Sequence, residues 1–374
     1  MSQGPLKVID LFAGVGGISL GAARAGFSIS AAVELDRHAA QYHGINFPKT
    51  KHLIEDVAGL TGKRLLELSE VRRGELSGLV GGPPCQGFSN MGLRSSGDTR
   101  NELLVHFFRL VAESRPAFFV AENVPGLIQE RNKPLLERAL SHVPKNYISL
   151  DPLICRASDY GAPTIRTRVF FIGYDPKRVG VLSGNDFLPK NIQDVRVGHA
   201  LSGLPAIRST WQTEEQSWRS VGSLSNSHYD RRISGCVPRD VGDPYALEIY
   251  GAQRLVSGFL GTKHSEETIR RFDVLKPGKA DQISKCVRLD IEGYCPTLRA
   301  GTGPERGGFQ AIRPIHPSSP RVISPREAAR LQGFPDWYQF HPTKWHSFRQ
   351  IGNSVSPIVS EALMSSIYRA MTSI

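Results

Sequence analysis

No long apolar run occurs in this sequence. From Met1 the chain passes through Ser2, Gln3, Gly4, Pro5, Leu6 and Lys7 straight into a short strand-like stretch, so neither a signal peptide nor a membrane span is expected. Cysteine is sparse as well. The five residues at 85, 155, 236, 286 and 295 form no Cys-x-x-Cys pair and are odd in number, so neither a zinc site nor a disulfide framework is suggested and a reducing, cytoplasmic setting is expected. Acidic residues are fewer than basic ones, 35 against 46, which leaves a formal net charge of +11. Clustered Lys and Arg gain free energy by releasing counterions from phosphates, so the surplus favours a polyanionic partner. No repeat or low-complexity tract interrupts the 374 residues, a length that suits two domains.

The first half alternates short apolar runs with amphipathic stretches, the pattern of parallel strands joined by crossover helices. Strands are expected at Lys7 to Phe12, Ile29 to Leu35, His52 to Val57, Leu76 to Val80, Pro116 to Ala121 and Val169 to Tyr174. A helix is expected over Asn101 to Glu113, where Leu103, Leu104, Phe107, Phe108 and Val111 fall at helical spacing. This predicts an α/β fold with a doubly wound sheet and ligands at the strand carboxyl ends. The alternation fades after about residue 178. Residues 179–321 are rich in Gly, Ser, Arg and Pro and read as a smaller, loop-rich second domain, too long for one structureless connection. Residues 322–374 turn helical again, and Ser324-Pro325-Arg326-Glu327 offers an N-cap, a proline at the first helical position and an acid at the third.

Two loops carry chemistry. In the first, Phe12-Ala13-Gly14-Val15-Gly16-Gly17 follows a strand and opens a helix, so backbone amides converge on whatever binds there. Counting from Gly14, the sixth position is Ser19 rather than glycine, which disfavours a dinucleotide. Glu34 ends the second predicted strand about twenty residues after the first glycine, where a carboxylate can accept both ribose hydroxyls, and Asp56 lies at the end of the third. A nucleotide-like cofactor is expected. In the second loop, Leu79-Val80-Gly81-Gly82-Pro83-Pro84-Cys85 ends an apolar run in residues that cannot continue a central strand, and so holds a thiol stiffly at a strand end. A neighbouring strand, Phe118-Phe119-Val120-Ala121, runs into Glu122-Asn123-Val124-Pro125-Gly126, which sets a carboxyl beside that thiol as a candidate acid.

Taken in order, these motifs resemble the DNA (cytosine-5)-methyltransferases of bacterial restriction-modification systems. The set continues with Tyr160-Gly161-Ala162-Pro163-Thr164-Ile165-Arg166-Thr167-Arg168, then Arg326 to Pro335, then Gln350-Ile351-Gly352-Asn353-Ser354-Val355. The resemblance implies a Rossmann-like S-adenosylmethionine-dependent domain over residues 1–178, a target-recognition domain over 179–321 and C-terminal helices over 322–374 that return to the catalytic domain. It implies Cys85 as nucleophile, Glu122 as acid with Asn123 orienting its surroundings, Arg168 against the target base and Arg166 against backbone phosphate. S-adenosylmethionine would be held by Phe12, Gly14, Gly16, Gly17, Glu34 and Asp56, with Asn353 and Ser354 opening the final helix beside them. Gln86, Ser89, Thr297 and Arg299 would meet the substrate strand.

One position departs from the pattern: Thr164 stands where the family has glutamine, and a threonine supplies at most one of the orienting hydrogen bonds. Duplex DNA is the expected partner, the protein is expected to be a monomer, and a cognate endonuclease is a possible functional companion. A tRNA cytosine-5 methyltransferase on the same scaffold is the alternative, though such enzymes usually lack so long a variable region. Amino methyltransferases carry an aromatic residue after Pro-Pro where this chain has Cys85.

Overall fold

A strand covered on both faces buries every position and so reads as a nearly continuous apolar run. Leu76 to Gly81 and Phe118 to Asn123 have no exposed residue, and only Ser77, Glu122 and Asn123 among them are polar. In the computed structural model, which describes residues 4–84, 102–207, 217–300 and 313–373, they form two central strands of an eight-stranded sheet. Its strands are β1 (Lys7–Leu11), β2 (Ser28–Val33), β3 (Lys51–Leu53), β4 (Leu76–Gly81), β5 (Phe118–Asn123), β6 (Ile148–Ser149), β7 (Leu153–Arg156) and β8 (Thr167–Tyr174). Helices α1 (Gly17–Ala25), α2 (Arg37–Asn46), α3 (Gly62–Leu68), α4 (Glu102–Ser114) and α5 (Lys133–Leu140) connect the first of them.

The sheet runs β3-β2-β1-β4-β5-β8-β6, with β7 also on β8. Strand order therefore reverses between β1 and β4, the switch point where ligands bind outside the carboxyl ends of such sheets. Leu11 and Gly81 are register partners there, so the glycine loop and the Pro-Pro loop leave the sheet side by side.

Alternate residues of each strand feed two cores. Leu79, Phe119, Ala121 and Phe171 pack with Leu65, Leu104, Phe107 and Phe108 of α3 and α4 on one face. On the other, Val8, Val80, Phe118, Val120 and Ile172 pack with Ile18 and Leu20 of α1 and with Ile358, Leu363 and Ile367 from the end of the chain. At about 25 cal/mol per Å² of apolar area, burial of this extent is the main force holding the sheet's layers together.

The observed strands depart from the expected ones in informative ways. β5 includes Glu122 and Asn123, so the candidate acid sits in the last ladder rung but one, paired with Phe170, rather than in the following loop. β3 stops at Leu53, and Asp56 lies three residues beyond it in a turn, its Oδ1 accepting the Ala58 N–H at 3.0 Å. β8 runs antiparallel to β5, because the chain reaches it through the short antiparallel strands β6 and β7 instead of a final crossover helix.

Residues 179–321 contain α6 (Val197–Leu201), α7 (His228–Ser234), α8 (Pro244–Gln253), α9 (Glu266–Val274) and a two-stranded ribbon of β9 (Arg219–Ser220) and β10 (Leu255–Val256). Tyr229, Ile233, Val256 and Phe259 from this stretch join the core that backs α1, while Phe272, Cys286, Ile315 and Val322 form a small cluster of their own. The chain ends in α10 (Pro325–Gln332), α11 (Lys344–Asn353) and α12 (Pro357–Thr372). Ser324 caps α10 in a full capping box with Glu327, as its sequence predicts. Three arginines in and just before it, Arg321, Arg326 and Arg330, are buried and spend their donors on Glu327, on Asp336 and on the carbonyls of Ala200, Ser202, Ser257, Pro335 and Tyr338. Asn353, Ser354 and Val355 do not open the final helix. They close α11, and α12 begins at Pro357. No helix among the described residues is long and apolar enough to cross a membrane.

Candidate active site

The glycine loop is fastened at every turn. Gly14 and Gly16 take φ of 56° and 100°, and Phe12 between β1 and the loop is itself left-handed at 57°, a conformation that costs a non-glycine residue about 1–2 kcal/mol. Asp10 accepts the Ser19 hydroxyl at 2.6 Å and so joins the last turn of β1 to the first of α1 across the loop. His43 Nε2 meets the same hydroxyl at 3.0 Å, and its Nδ1 meets His52 Nε2 at 2.9 Å. Tyr338 donates to Val15 O, and the Ser360 hydroxyl donates to Gly17 O at 2.8 Å. Burial pushes Asp10 up to about 7, opposed by the Ser19 bond. Its Oδ1 has no partner among the described residues.

Glu34 is the loop's other anchor. Its Oε2 accepts the Gly14 N–H and its Oε1 the Asp36 N–H, both at 2.8 Å. Burial raises its pKa, and the two backbone bonds oppose that rise. A carboxylate offers about four lone-pair sites, so two remain for hydroxyl donors. Glu34 N–H still pairs with Leu53 O at 3.0 Å, and Leu35 and Ile54 follow just past the ends of β2 and β3. Both are unusually exposed for their type, at 62% and 49%. Sequence reasoning missed them, since an apolar residue at a strand end carries no signal until its exposure is known. The lone pairs left on Glu34 suit the two hydroxyls of a ribose, and the exposed Leu35 and Ile54 offer apolar surface close by in the chain. The donor set therefore suits S-adenosylmethionine.

Cys85, Gln86 and Ser89 lie outside the described residues. The chain leading to the thiol is nevertheless fixed up to Pro84. Asn123 Nδ2 donates to Pro83 O at 3.1 Å, while its Oδ1 accepts the Val124 N–H at 2.8 Å. A Cβ on Gly82 would lie 2.8 Å from Glu122 Oε2, so only glycine lets the carboxylate approach the loop. Glu122 in turn pairs with Arg168 across the β5–β8 ladder, Nε to Oε1 at 2.8 Å, both side chains largely buried. Arg168 also donates to Thr167 O at 2.7 Å.

Arg166 goes elsewhere than a surface phosphate contact would require. At 4% exposure it points inward, donating to Leu298 O at 3.3 Å and Asn353 O at 3.5 Å. Burial, with Arg168 nearby, pushes its pKa well down while Glu122 opposes the shift. Thr164, fully buried, donates to Cys295 O at 3.0 Å beside two backbone bonds that pair Pro163 and Ile165 with Cys295. The 295–300 segment, carrying half-buried Thr297 and exposed Arg299, is thus held between β8's approach and the end of α11, where a Cβ on Gly352 would meet Ala300 N at 2.9 Å. Asn353 is exposed and Ser354 buried, and Gln332 Nε2 donates to Ser354 O at 2.8 Å. Gly17 lies against the same return segment, its space closed by Val355 O.

A nucleotide crevice and a Pro-Pro loop share one switch point, with a carboxyl–guanidinium pair behind the loop. That is the site of a base methyltransferase, and comparison with known proteins supports the assignment. Residues 6–369 match the model of the C-5 cytosine-specific DNA methylases, and the chain belongs to that family. It is 37% identical to the type II methyltransferase M.XorII of Xanthomonas oryzae pv. oryzae, over 97% of this chain and 84% of that protein. It is 33% identical to M.DdeI of Desulfomicrobium norvegicum, over 97% and 88%. A crystal structure described as that of a DNA modification methyltransferase from an E. coli prophage superposes with a TM-score of 0.88 at 47% identity, covering 98% of this chain and 99% of that one.

Proposed function

We propose that the protein methylates carbon 5 of a cytosine flipped out of a specific duplex DNA sequence, through a covalent Cys85 adduct at carbon 6, as the modification enzyme of a type II restriction system. The carrying observation is the Leu11–Gly81 pairing, which brings the cofactor loop and the Pro-Pro-Cys loop to adjacent strand ends. S-adenosylmethionine supplies a methyl made electrophilic by its sulfonium. Cytosine carbon 5 is too weak a nucleophile to take that methyl unaided. A Cys85 thiolate adding to carbon 6 makes carbon 5 enamine-like, provided a proton or hydrogen bond is offered to ring nitrogen 3. Glu122 takes that task, a role supported by its ion pair with Arg168, which holds the carboxyl and balances charge in the pocket. After methylation, loss of the carbon 5 proton expels the sulfur and restores the aromatic ring. Extruding the base costs a few kcal/mol, which contacts to the flanking strand offset.

Asn123 acts as a positioning residue, since it grips the carbonyl two residues before the nucleophile. Sequence recognition falls to side chains within residues 179–321, reading base edges in the major groove. The type II methyltransferases among its relatives support a modification role. The reading adds a cognate endonuclease as functional companion and a monomeric enzyme. The tRNA reading is the less supported one, because the matching family model and these relatives are those of DNA methylases. Duplex DNA carrying 5-fluorocytosine at the target should trap a denaturation-resistant complex in the presence of S-adenosylmethionine, because fluorine blocks the last elimination. Cys85→Ser should abolish trapping, and a Cys85→Ser protein that still captured DNA would remove Cys85 from the mechanism.

A further inference from the structure

Three histidines meet between α2 and α11. His38 lies in the first turn of α2, His341 in the link between α10 and α11, and His346 in the first turn of α11. Their ring centroids are 4.1 Å (His38–His346), 4.3 Å (His341–His346) and 4.9 Å (His38–His341) apart. One ring nitrogen from each lies within 4.8 Å of the others. Neither the fold nor the methyl-transfer chemistry uses them.

Three imidazoles crowded together are a poor arrangement for cations and a good one for a cation's ligands. Burial, then the neighbouring imidazoles, push His341 down to about 4, and His346 is lowered as well, so both offer lone pairs at neutral pH. His341 Nδ1 lies 3.0 Å from the Thr343 hydroxyl and 3.1 Å from the Thr343 N–H. The N–H donates to Nδ1, and the two contacts fix the orientation of the ring. Asp36 adds negative charge nearby, although its own oxygens are engaged by the His38 and Ala39 N–H groups and by Arg349.

We infer that His38, His341 and His346 form a site for a late first-row divalent cation of the zinc type, joining the first turn of α2 to the start of α11. Imidazole nitrogens are suited to zinc, cobalt and nickel, and a tetrahedral ion asks its ligands to stand roughly 3.4 Å apart, which small rotations of these rings supply. The fourth position is left to water. Such an ion would tie together two segments that border the cofactor crevice, the Glu34–Asp36 turn and the helix that ends at Asn353.

The test uses the full-length protein, stripped with a chelator and titrated with Co²⁺ while its ligand-field absorption is followed, then back-titrated with Zn²⁺. One equivalent of Co²⁺ should bind with tetrahedral-type bands that Zn²⁺ bleaches, and Zn²⁺ should raise the melting temperature. His38→Ala, at an exposed position, should lose the bands and the thermal shift. Absence of the bands in the unaltered protein, or bands and affinity unchanged in His38→Ala, would overturn the proposal, since any remaining binding would then belong to thiols or to the surface.

Discussion

Replacing Thr164 by valine removes one hydroxyl and keeps the shape. Thr164 is fully buried, and its sole hydrogen bond among the described contacts runs to Cys295 O at 3.0 Å. That carbonyl also accepts the Ile165 N–H at 3.0 Å, so valine leaves no orphaned acceptor. The loss is then one net neutral hydrogen bond, about 0.5–1.5 kcal/mol. Whatever part of it reaches the transition state lowers single-turnover methylation by at most roughly tenfold. Adenosylmethionine affinity should stay at the parent value, because Glu34 and the glycine loop make no contact with Thr164. Thr164→Gln, which restores the family pattern, should instead destabilise the protein by about 1–3 kcal/mol in urea unfolding, since a closed site must admit extra atoms. Arg168→Ala sets the scale: it strands the Glu122 carboxylate in a largely buried position and should lower turnover by more than a hundredfold. A Thr164→Val enzyme as impaired as Arg168→Ala would refute the idea that this residue acts only through the 295–300 segment.

Glu34→Gln exchanges one of two charge-assisted acceptors for an amide facing a backbone N–H. At about 1.5–3 kcal/mol for such a bond, calorimetry should find cofactor affinity lowered roughly 10- to 100-fold, and an unchanged affinity would detach Glu34 from the cofactor. Asp10, held at about 7 against an ordinary 3.8, contributes stability that is fully present below about pH 4 and lost as pH rises through 7. Asparagine cannot ionise, so the melting temperature of the unaltered protein relative to Asp10→Asn should fall steadily from pH 4 to pH 7. A difference that stays constant over that range would show that Asp10 does not titrate there.

The sequence made the parallel half of the sheet legible because burial on both faces writes continuous apolar runs, as in Leu76 to Val80. Glu34 and Glu122 were equally legible, each a lone acid at the end of such a run. What escaped detection was set by packing. β6 and β7 are too short to show a period, and β8's antiparallel direction depends on how the chain returns to the sheet, which no local pattern records. Arg166 in its Arg-x-Arg pair reads as a phosphate contact, yet it is drawn inward by the carbonyls of Leu298 and Asn353, more than a hundred residues away in the chain. The His38, His341 and His346 cluster was invisible for the same reason, since α2 and α11 are brought together only by the fold.

The packing of α12 on α1 bears on when the enzyme can first work. Gly21 lies against the Ser360 backbone and Gly17 against Val355, so the wall of the cofactor crevice is completed by residues made some 340 positions after the loop itself. During synthesis the glycine loop must wait on the ribosome for its last partner, and contacts so distant in sequence are the slow ones to form. A nascent chain that has not yet released its last twenty residues therefore has a glycine loop with one side open. On the proposed reading, methyl transfer would begin only after the C-terminal segment has emerged and packed.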